Sequence, residues 1–281
     1  MENNKKIVVV TGGGSGMGLA TIKNMDKDYT FIISGRTVAR LENAVNELTS
    51  LGYEVYPYSC DVSKRESVVS LVEYASSLGE VKIVINAAGV SPAMKTNPEQ
   101  VLRINALGTV YVNQEFSKVM ARGSVILDIA SNSAYVLPSF MAPTGTYKLA
   151  EKNEDAFVKK LARKASIMPG EYYKKGMAYT FSKLFVIWYA KKCAFEYGKR
   201  GIRVVSLSPG LIATDMGNME VEVGGSLIPN TAENRMGTPE ELGYAIATVA
   251  DPRNGFLTAV DVLCDGGSST RMHGFKFTLK D

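Results

Sequence analysis

The segment that most constrains the fold is a β-branched run followed by a glycine-rich turn. Lys6–Val10 has the length and composition of a buried parallel strand, and a short helical pattern begins at Leu19. Between them lies the turn Thr11-Gly12-Gly13-Gly14-Ser15-Gly16-Met17-Gly18. Glycines allow a backbone to approach a diphosphate closely, and a helix N-terminus offers it free N–H groups. The segment predicts a nucleotide-binding strand–turn–helix unit, with a plain tight turn as the alternative.

The alternation of strand and helix continues along the chain. Six further strand-like runs are predicted at residues 30–34, 54–59, 81–85, 123–130, 202–207 and 260–264. Helical patterns separate them, which requires a mostly parallel sheet covered by helices on both faces. No repeat, low-complexity run or linker divides the sequence. We therefore predict one α/β domain over residues 1–281, a Rossmann-type doubly wound sheet of about seven strands.

Composition argues against several classes of protein. The chain has 32 Lys and Arg residues against 28 Asp and Glu residues, and the small excess is scattered, so nucleic acid is not an expected partner. Cys60, Cys193 and Cys264 have no metal-like spacing, which disfavours a metal centre and disulfides. The only histidine, His273, is expected at the surface. No apolar run is long enough for a membrane span and the N-terminus enters a strand directly, so we expect no membrane partner and a cytoplasmic location.

Tyr179 and Lys183 are the candidate proton-transfer pair. They lie four residues apart in a run from Gly176 to Gly198 that predicts one long helix, so both side chains face the same site. A nearby ammonium favours the phenolate, and we expect the pKa of Tyr179 to be lowered from about 10. Such a pair can donate a proton to a carbonyl oxygen or accept one from an alcohol. The alternative is a snorkelling contact on a solvated helix face.

The turn after the second strand bears on the choice of cofactor. NAD-binding folds usually carry an acidic residue here that accepts from the ribose 2′-hydroxyl. This chain has Gly35-Arg36-Thr37 instead, and Arg36 can pair with a 2′-phosphate. NADP(H) is therefore favoured over NAD(H), unless Arg36 is only a solvated turn residue.

Polar residues also follow the ends of the other strands, which is where ligands bind in doubly wound sheets. Asp61-Val62-Ser63 follows the third strand, and Ser63 is a candidate N-cap for a helix at 64–77. Asn105 falls within a predicted helix, where a buried amide needs polar partners. The remaining motifs are Asn86-Ala87-Ala88-Gly89, Ser131-Asn132-Ser133 and Pro209-Gly210-Leu211-Ile212-Ala213-Thr214.

These motifs resemble those of the short-chain dehydrogenase/reductase family, and they occur in that family's order over nearly the whole chain. Ala87 departs from the family's asparagine at that position. The resemblance implies that hydride moves between a nicotinamide and a secondary alcohol or ketone. It implies that Tyr179 transfers the proton and that Lys183 lowers its pKa and holds the nicotinamide ribose. Ser131, with Ser133 as its competitor, would hydrogen-bond the substrate oxygen, and Asn105 would hold a relay water.

The same resemblance implies a set of cofactor contacts along the carboxyl edge of the sheet. Asp61 and Val62 would lie against the adenine, and Ile212 and Thr214 would hold the carboxamide. The implied contacts are Gly12, Ser15, Gly16, Met17, Gly18, Arg36, Thr37, Asp61, Val62, Asn86, Ala87, Gly89, Tyr179, Lys183, Pro209, Ile212 and Thr214.

The chain departs from the family pattern between Ser131 and Tyr179, which are 48 residues apart. The excess forms a predicted helical insertion at 138–175, in which Phe157, Leu161 and Ala165 mark an apolar helix face ended by Pro169-Gly170. Three roles are open for this insertion: a lid over the substrate cleft, a part of a subunit interface or a block on one, and an inert elaboration. The insertion is similar to that of the bacterial 3α-hydroxysteroid dehydrogenase/carbonyl reductase branch. Residues 215–233 show no clear period and suggest a mobile flap.

The sequence therefore predicts an NADP(H)-dependent oxidoreductase for a bulky apolar small molecule such as a hydroxysteroid or bile acid. A reductase of 3-oxoacyl thioesters or other small carbonyl compounds is one alternative. A non-catalytic NADP(H)-sensing or interaction protein is another, because fold alone does not imply chemistry. The resemblance also implies a homo-oligomer, a dimer or a tetramer.

Overall fold

A computed structural model describes residues 5–224 and 230–272, which include one sheet of seven parallel strands. The strands are β1 Lys6–Thr11, β2 Thr30–Gly35, β3 Glu54–Ser59, β4 Glu80–Asn86, β5 Val125–Ile129, β6 Arg203–Pro209 and β7 Asp261–Cys264. Their spatial order is β3-β2-β1-β4-β5-β6-β7, with every neighbouring pair parallel. The prediction of a doubly wound sheet is confirmed.

Helices cover both faces of this sheet. They are α1 Gly16–Ile22, α2 Val38–Ser50, α3 Arg65–Leu78, α4 Pro98–Leu102, α5 Gly108–Val119, α6 Thr144–Tyr147, α7 Glu154–Ala165, α8 Glu171–Tyr197, α9 Asp215–Gly224, α10 Pro239–Ala250 and α11 Ser268–Met272. Alternate residues of β1 reach the two cores that result. Ile7 and Val9 pack towards α3, α5 and α8, whereas Val8 and Val10 pack towards α1, α2 and α10.

The strand order reverses at β1, and this places the candidate site. β1 pairs with β2 on one side and with β4 on the other, and the connections that leave the carboxyl ends of β1 and β4 run in opposite directions. A crevice opens at such a switch point. Thr11 at the end of β1 lies in register with Asn86 at the end of β4, and the motif residues follow both strands.

The predicted insertion packs on the flank of the helical layer. The first turn of α7 is capped by Asn153, whose side chain accepts from the Ala156 amide at 2.9 Å. Phe157 and Leu161 are fully buried, and the Phe157 ring lies 4.9 Å from that of Phe185 on α8. The helix α7 packs on α8 and lines no part of the cavity described below, so α7 itself does not support the lid among the three open roles of the insertion.

The boundary predicted between the insertion and the long helix is wrong. The helix that carries Tyr179 begins at Glu171, inside the predicted insertion, because Gly176 is tolerated within it and Gly170 (φ +79°) makes the turn before it. The helix α7 ends at Ala165, four residues before Pro169.

One other local prediction is also wrong, and the mobile flap expected at 215–233 stays a prediction. Ser63 is not the N-cap of α3: Lys64 takes that place, and the Ser63 hydroxyl donates to Asp61 at 2.7 Å instead. The segment predicted as a flap forms α9 over its first ten residues, Asp215–Gly224. The rest of that prediction falls partly on residues 225–229, which lie outside the described residues, as does His273.

Candidate active site

A cavity of about 110 Å³ lies at the carboxyl ends of β4, β5 and β6. The predicted site residues that line it are Met17, Ala87, Gly89, Ser131, Tyr179, Lys183, Pro209, Ile212 and Thr214. Other lining residues include Val90, Leu211, Met216 and Glu220. The structure thus brings together motifs that are spread over two hundred positions of the sequence.

The glycine turn closes against the ends of β1 and β4. Gly12 has φ +71°, and a Cβ there would lie 3.0 Å from the backbone of Ala87 and Ala88. A Cβ on Gly18 would lie 2.6 Å from the Gly12 carbonyl oxygen, closer than real contacts allow. Gly16 (φ +55°) faces Thr214 across the cavity mouth, and Ser15 is the exposed N-cap of α1. This side-chain-free cradle at a helix N-terminus fits a dinucleotide diphosphate.

Lys183 extends from α8 into the buried end of the cavity. Its side chain is 6% exposed, and its Nζ donates to the carbonyl oxygen of Ile129 at 2.9 Å. Burial lowers the pKa of Lys183 from 10.5 to about 8, while the charges of Asp128 and Glu220 oppose the shift. The site therefore holds an ammonium that is readily deprotonated.

Tyr179 and Ser131 form the polar wall beside this lysine. Both hydroxyl-bearing side chains line the cavity, and the Lys183 Nζ lies 5.7 Å from the centre of the Tyr179 ring. The prediction that Lys183 lowers the pKa of Tyr179 is wrong for this structure. Burial raises the pKa, the charge of Glu220 raises it further, and only the Ser131 hydroxyl lowers it. The lysine is itself desolvated and donates to Ile129, so it supplies little positive field to the phenol.

The Ser133 hydroxyl, the alternative to Ser131, is buried without a hydrogen-bond partner in the described part of the chain and does not line the cavity. Ser131 accepts a hydrogen bond from the Ser133 amide at 3.2 Å, which fixes the turn after β5. The geometry thus places Ser131, rather than Ser133, next to the phenol.

Asn86 belongs to a buried network below the cavity. It accepts from the Thr11 hydroxyl at 3.0 Å and donates to Asp128 at 3.0 Å and to Thr109 at 3.3 Å. Asp128 also accepts from Asn113 at 2.8 Å. Asn86 is therefore held by the sheet and does not line the cavity.

Asn105 lies in a π-helical turn, Arg103–Leu107, between α4 and α5. Its amide accepts from the Val90 N–H and donates to the Val90 carbonyl, each at 2.9 Å, and it is 2% exposed. A Cβ on Gly89 would lie 3.2 Å from the Asn105 Oδ1 and 3.8 Å from the Lys183 Nζ. Asn105 thus fixes the loop after β4 close to the lysine.

The predicted contacts for the far half of a dinucleotide lie outside the cavity. Arg36 and Thr37 are exposed at the turn after β2, where Thr37 is the N-cap of α2. Val62 packs against Gly108, so closely that a Cβ on this glycine would lie 3.0 Å from the Val62 side chain. Asp61 accepts a hydrogen bond from the Ser63 amide at 3.1 Å. These residues line the same carboxyl edge of the sheet as the glycine turn.

Two acidic residues of the site were missed by sequence analysis. Asp128 is fully buried, and burial raises its pKa from 3.8 to about 6, with the two asparagines and the Lys183 charge opposing the shift. An acid within the apolar run Val125–Ile129 was a signal that could have identified it. Glu220 reaches the cavity from α9 and gave no sequence signal, since the segment lacked a clear period.

The described ranges, 5–224 and 230–272, contain no group of three or more His, Cys, Asp or Glu residues arranged to hold a metal ion. Within those same ranges, no helix combines the length and the apolar character that crossing a bilayer requires.

Comparison with known proteins identifies the family. A family model described as short chain dehydrogenase matches residues 6–165, which is more than half of the chain. A second, described as Enoyl-(Acyl carrier protein) reductase, matches residues 160–269. The chain is 27% identical to a short-chain dehydrogenase/reductase, bsc3, of Alternaria brassicicola over 94% of this chain and 96% of that protein. It is 25% identical to 3beta-hydroxysteroid dehydrogenase 2 of Eggerthella lenta, with 93% and 94% covered.

Solved structures share the fold. A short-chain dehydrogenase/reductase from Serratia marcescens superposes with a TM-score of 0.74 at 23% identity, covering 96% of this chain and 100% of that one. A short chain dehydrogenase from Burkholderia cenocepacia, solved in complex with NADP, gives 0.72 at 21% identity with 95% and 98% covered. The chain thus belongs to the short-chain dehydrogenase family, which binds NAD(P), and is an oxidoreductase that acts on substrates of the CH–OH type.

Proposed function

We propose that this enzyme uses NADP(H) to interconvert a secondary alcohol and a ketone on a bulky apolar molecule, of which a hydroxysteroid or bile acid is an example. The observation that carries the proposal is the meeting of Ser131, Tyr179 and Lys183 at one cavity whose other walls are largely apolar. Family membership argues against the alternative of a non-catalytic sensor. The similarity to a 3beta-hydroxysteroid dehydrogenase supports the substrate class.

In this proposal each side chain has one task. The glycine turn would hold the diphosphate, and Pro209, Ile212 and Thr214, which line the cavity, would hold the nicotinamide. When bound, the cofactor supplies or receives the hydride. Ser131 donates a hydrogen bond to the substrate oxygen as negative charge develops there. Tyr179 gives that oxygen its proton, and Asn105 fixes the loop through which a relay water would reach Lys183.

The protonation state of Tyr179 favours reduction of a carbonyl as the direction. Burial and the Glu220 charge raise the pKa of the phenol, so it remains protonated at neutral pH. A protonated phenol is the form that can donate to a ketone oxygen. Oxidation of an alcohol requires the phenolate and should therefore improve as the pH rises.

The proposed preference for NADP(H) rests on Arg36, which is exposed at the end of β2 in a turn, Gly35-Arg36-Thr37, that contains no acidic residue. We expect Arg36→Asp to shift the ratio of kcat/KM for NADPH to that for NADH towards NADH by about tenfold or more, since a charge-assisted phosphate contact is lost. The variant Arg163→Asp, which makes the same charge change on α7, is the matched control. An unchanged ratio in Arg36→Asp would refute the role of this turn.

The substrate class is tested by a screen with both cofactors. Oxo-steroids and oxo-bile acids are compared with small ketones and 3-oxoacyl thioesters, and loss of NADPH absorbance is followed. We expect the bulky ketones to have the highest kcat/KM. The acyl alternative is favoured by the match of residues 160–269 to a family model described as Enoyl-(Acyl carrier protein) reductase. Faster turnover of the thioesters would select that alternative.

We also propose a cytoplasmic location and a homo-oligomer. The location rests on three cysteines, Cys60, Cys193 and Cys264, that form no disulfide in the described structure, as expected in a reducing compartment. The oligomer, which the family typically forms, rests on apolar side chains exposed on two long helices, Val119 on α5 and Phe195 on α8. Sedimentation of the purified chain would decide the subunit count.

A further inference from the structure

Helix α9 carries a carboxylate into the cavity, and the proposed mechanism gives this group no contact with the substrate. Glu220 lines the cavity with Tyr179 and Lys183 and is half-buried. It is the only acidic side chain among the residues that line this cavity in the described structure, and Lys183 is the only basic one. The other walls are apolar or carry neutral polar groups.

Among the described residues, the Ser91 hydroxyl and Lys183 are the groups that favour the charged form of this carboxylate. Burial raises the pKa of Glu220, and the Ser91 hydroxyl and the Lys183 charge only oppose that shift. The hydroxyl of Ser91 is fully buried and makes no hydrogen bond of ordinary geometry within the described residues. Lys183 uses its ammonium to donate to Ile129 and is drawn towards Asp128 as well.

The Glu220 carboxylate, next to the Ser91 hydroxyl, can therefore still accept a hydrogen bond from a ligand in the cavity. A buried carboxylate that lacks strong hydrogen bonds is costly, and a ligand that supplies a positive charge or N–H group relieves that cost. The same carboxylate repels an anion brought into the cavity, since the low local dielectric weakens screening. The charge of Glu220 thus acts on whatever group of the substrate lies next to the reacting carbonyl.

We propose that Glu220 is a specificity-determining residue, which favours ketones that carry a cationic amino group close to the carbonyl and disfavours those that carry an anionic group there. This inference rests on the proposed ketone–alcohol function and deepens it. It concerns the groups near the carbonyl only, so a remote acid on a large substrate is not affected.

The test uses three six-membered ketones of matched shape. They are N-methyl-4-piperidone, which is cationic, 4-methylcyclohexanone, which is neutral, and 4-oxocyclohexanecarboxylate, which is anionic. We measure kcat/KM with NADPH for the wild type and for Glu220→Gln, which removes the charge and keeps the shape. Each ketone is compared with itself between the two proteins, so its intrinsic reactivity cancels.

We expect Glu220→Gln to lower kcat/KM for the cationic ketone and to raise it for the anionic one, by about tenfold each, because the charge that attracts the first and repels the second is lost. The ratio of cation to anion then falls by about a hundredfold, and the neutral ketone changes little. The control is Glu222→Gln, which removes the same charge from the exposed side of α9 and should leave the ratio unchanged. An unchanged ratio in Glu220→Gln overturns the inference.

A binding measurement separates this inference from the proposed function. Cyclohexylammonium and cyclohexanecarboxylate, which cannot react, are tested for the shift they cause in the melting temperature of the protein with NADPH. The wild type should bind the cation more tightly, and Glu220→Gln should lose the difference. If no ketone is turned over, the proposed function fails while this result still decides the role of Glu220. If Glu220→Gln changes the binding of both ligands and of NADPH by the same factor, the residue has only a structural role and the inference is wrong.

Discussion

Replacing Lys183 by methionine should abolish activity and yet make the folded protein more stable at neutral pH. Methionine matches the apolar part of the lysine side chain in length and removes the ammonium. Lys183 is 6% exposed, and within the described residues its ammonium makes one hydrogen bond, to the Ile129 carbonyl. The wild-type protein must therefore hold a poorly solvated charge that its unfolded chain exposes to water.

The pKa of Lys183 gives the size of this cost. A fall from 10.5 to about 8 corresponds to about 3 kcal/mol, which is the penalty of charging the buried amine. Loss of the hydrogen bond to Ile129 destabilises the variant by about 1 kcal/mol, which offsets part of this gain. We therefore expect Lys183→Met to raise the free energy of unfolding by about 1–2 kcal/mol at pH 7–8.

The sign of the pH dependence follows from the same shift. Because the folded pKa is lower than the unfolded one, the unfolded chain binds more protons between pH 8 and 10.5. The wild type therefore gains stability from this group as the pH rises through that window, and it loses that stability as the pH falls to 8. The advantage of Lys183→Met should shrink by about 1.4 kcal/mol per pH unit above pH 8, vanish at roughly pH 9–9.5 and be reversed by pH 10.5.

Urea unfolding of both proteins at several pH values from 8 to 10.5 measures the difference. This range lies above the pKa of about 6 of Asp128, whose titration would otherwise contribute once its cationic neighbour is removed. Lys191→Met, which removes an exposed lysine from the same helix, should show no pH-dependent difference. A constant difference between wild type and Lys183→Met across the window would refute the account of a desolvated ammonium.

Two further perturbations test the cradle and the insertion. Gly18→Ala should weaken NADPH binding by at least tenfold in a titration, because the new Cβ would lie 2.6 Å from the Gly12 carbonyl oxygen, whereas Gly176→Ala on α8 meets no atom within 4 Å and should bind normally. Phe157→Ala should open a cavity against Phe185 and lower the free energy of unfolding by about 3–5 kcal/mol. Phe256→Ala, at the exposed surface, should change it little. Equal effects of the two substitutions would contradict the packing of α7.

The sheet could be predicted from sequence because its signals are local. Each strand is a short β-branched run bounded by glycine or polar residues, and helical patterns lie between them, which leaves few arrangements other than a parallel sheet. The gathering of Ser131, Tyr179 and Lys183 at one cavity was implied by the resemblance to the short-chain dehydrogenase/reductase family. Helix spacing by itself joins only Tyr179 to Lys183, and the end of a parallel strand marks only the edge at which Ser131 lies.

What sequence analysis missed depends on burial and on tertiary contacts. The pKa of Tyr179 was expected to fall, but the desolvation of both partners and the charge of Glu220 reverse the direction. No local pattern reports how far a side chain is removed from water. Likewise, the helix α9 has no clear apolar period, so neither its formation nor the place of Glu220 could be read from spacing. Asp128 gave a signal, an acid in an apolar strand, but its partners Asn86 and Asn113 are distant in sequence.

The most direct test of the central claim is to measure turnover and NADPH binding together in Tyr179→Phe. The account predicts that removal of the phenol hydroxyl reduces kcat for ketone reduction by at least about a hundredfold, since a general acid contributes that much or more. The dissociation constant of NADPH, from a fluorescence titration, should change by less than about threefold. A variant that retains wild-type turnover would contradict the assignment of Tyr179 as the proton donor.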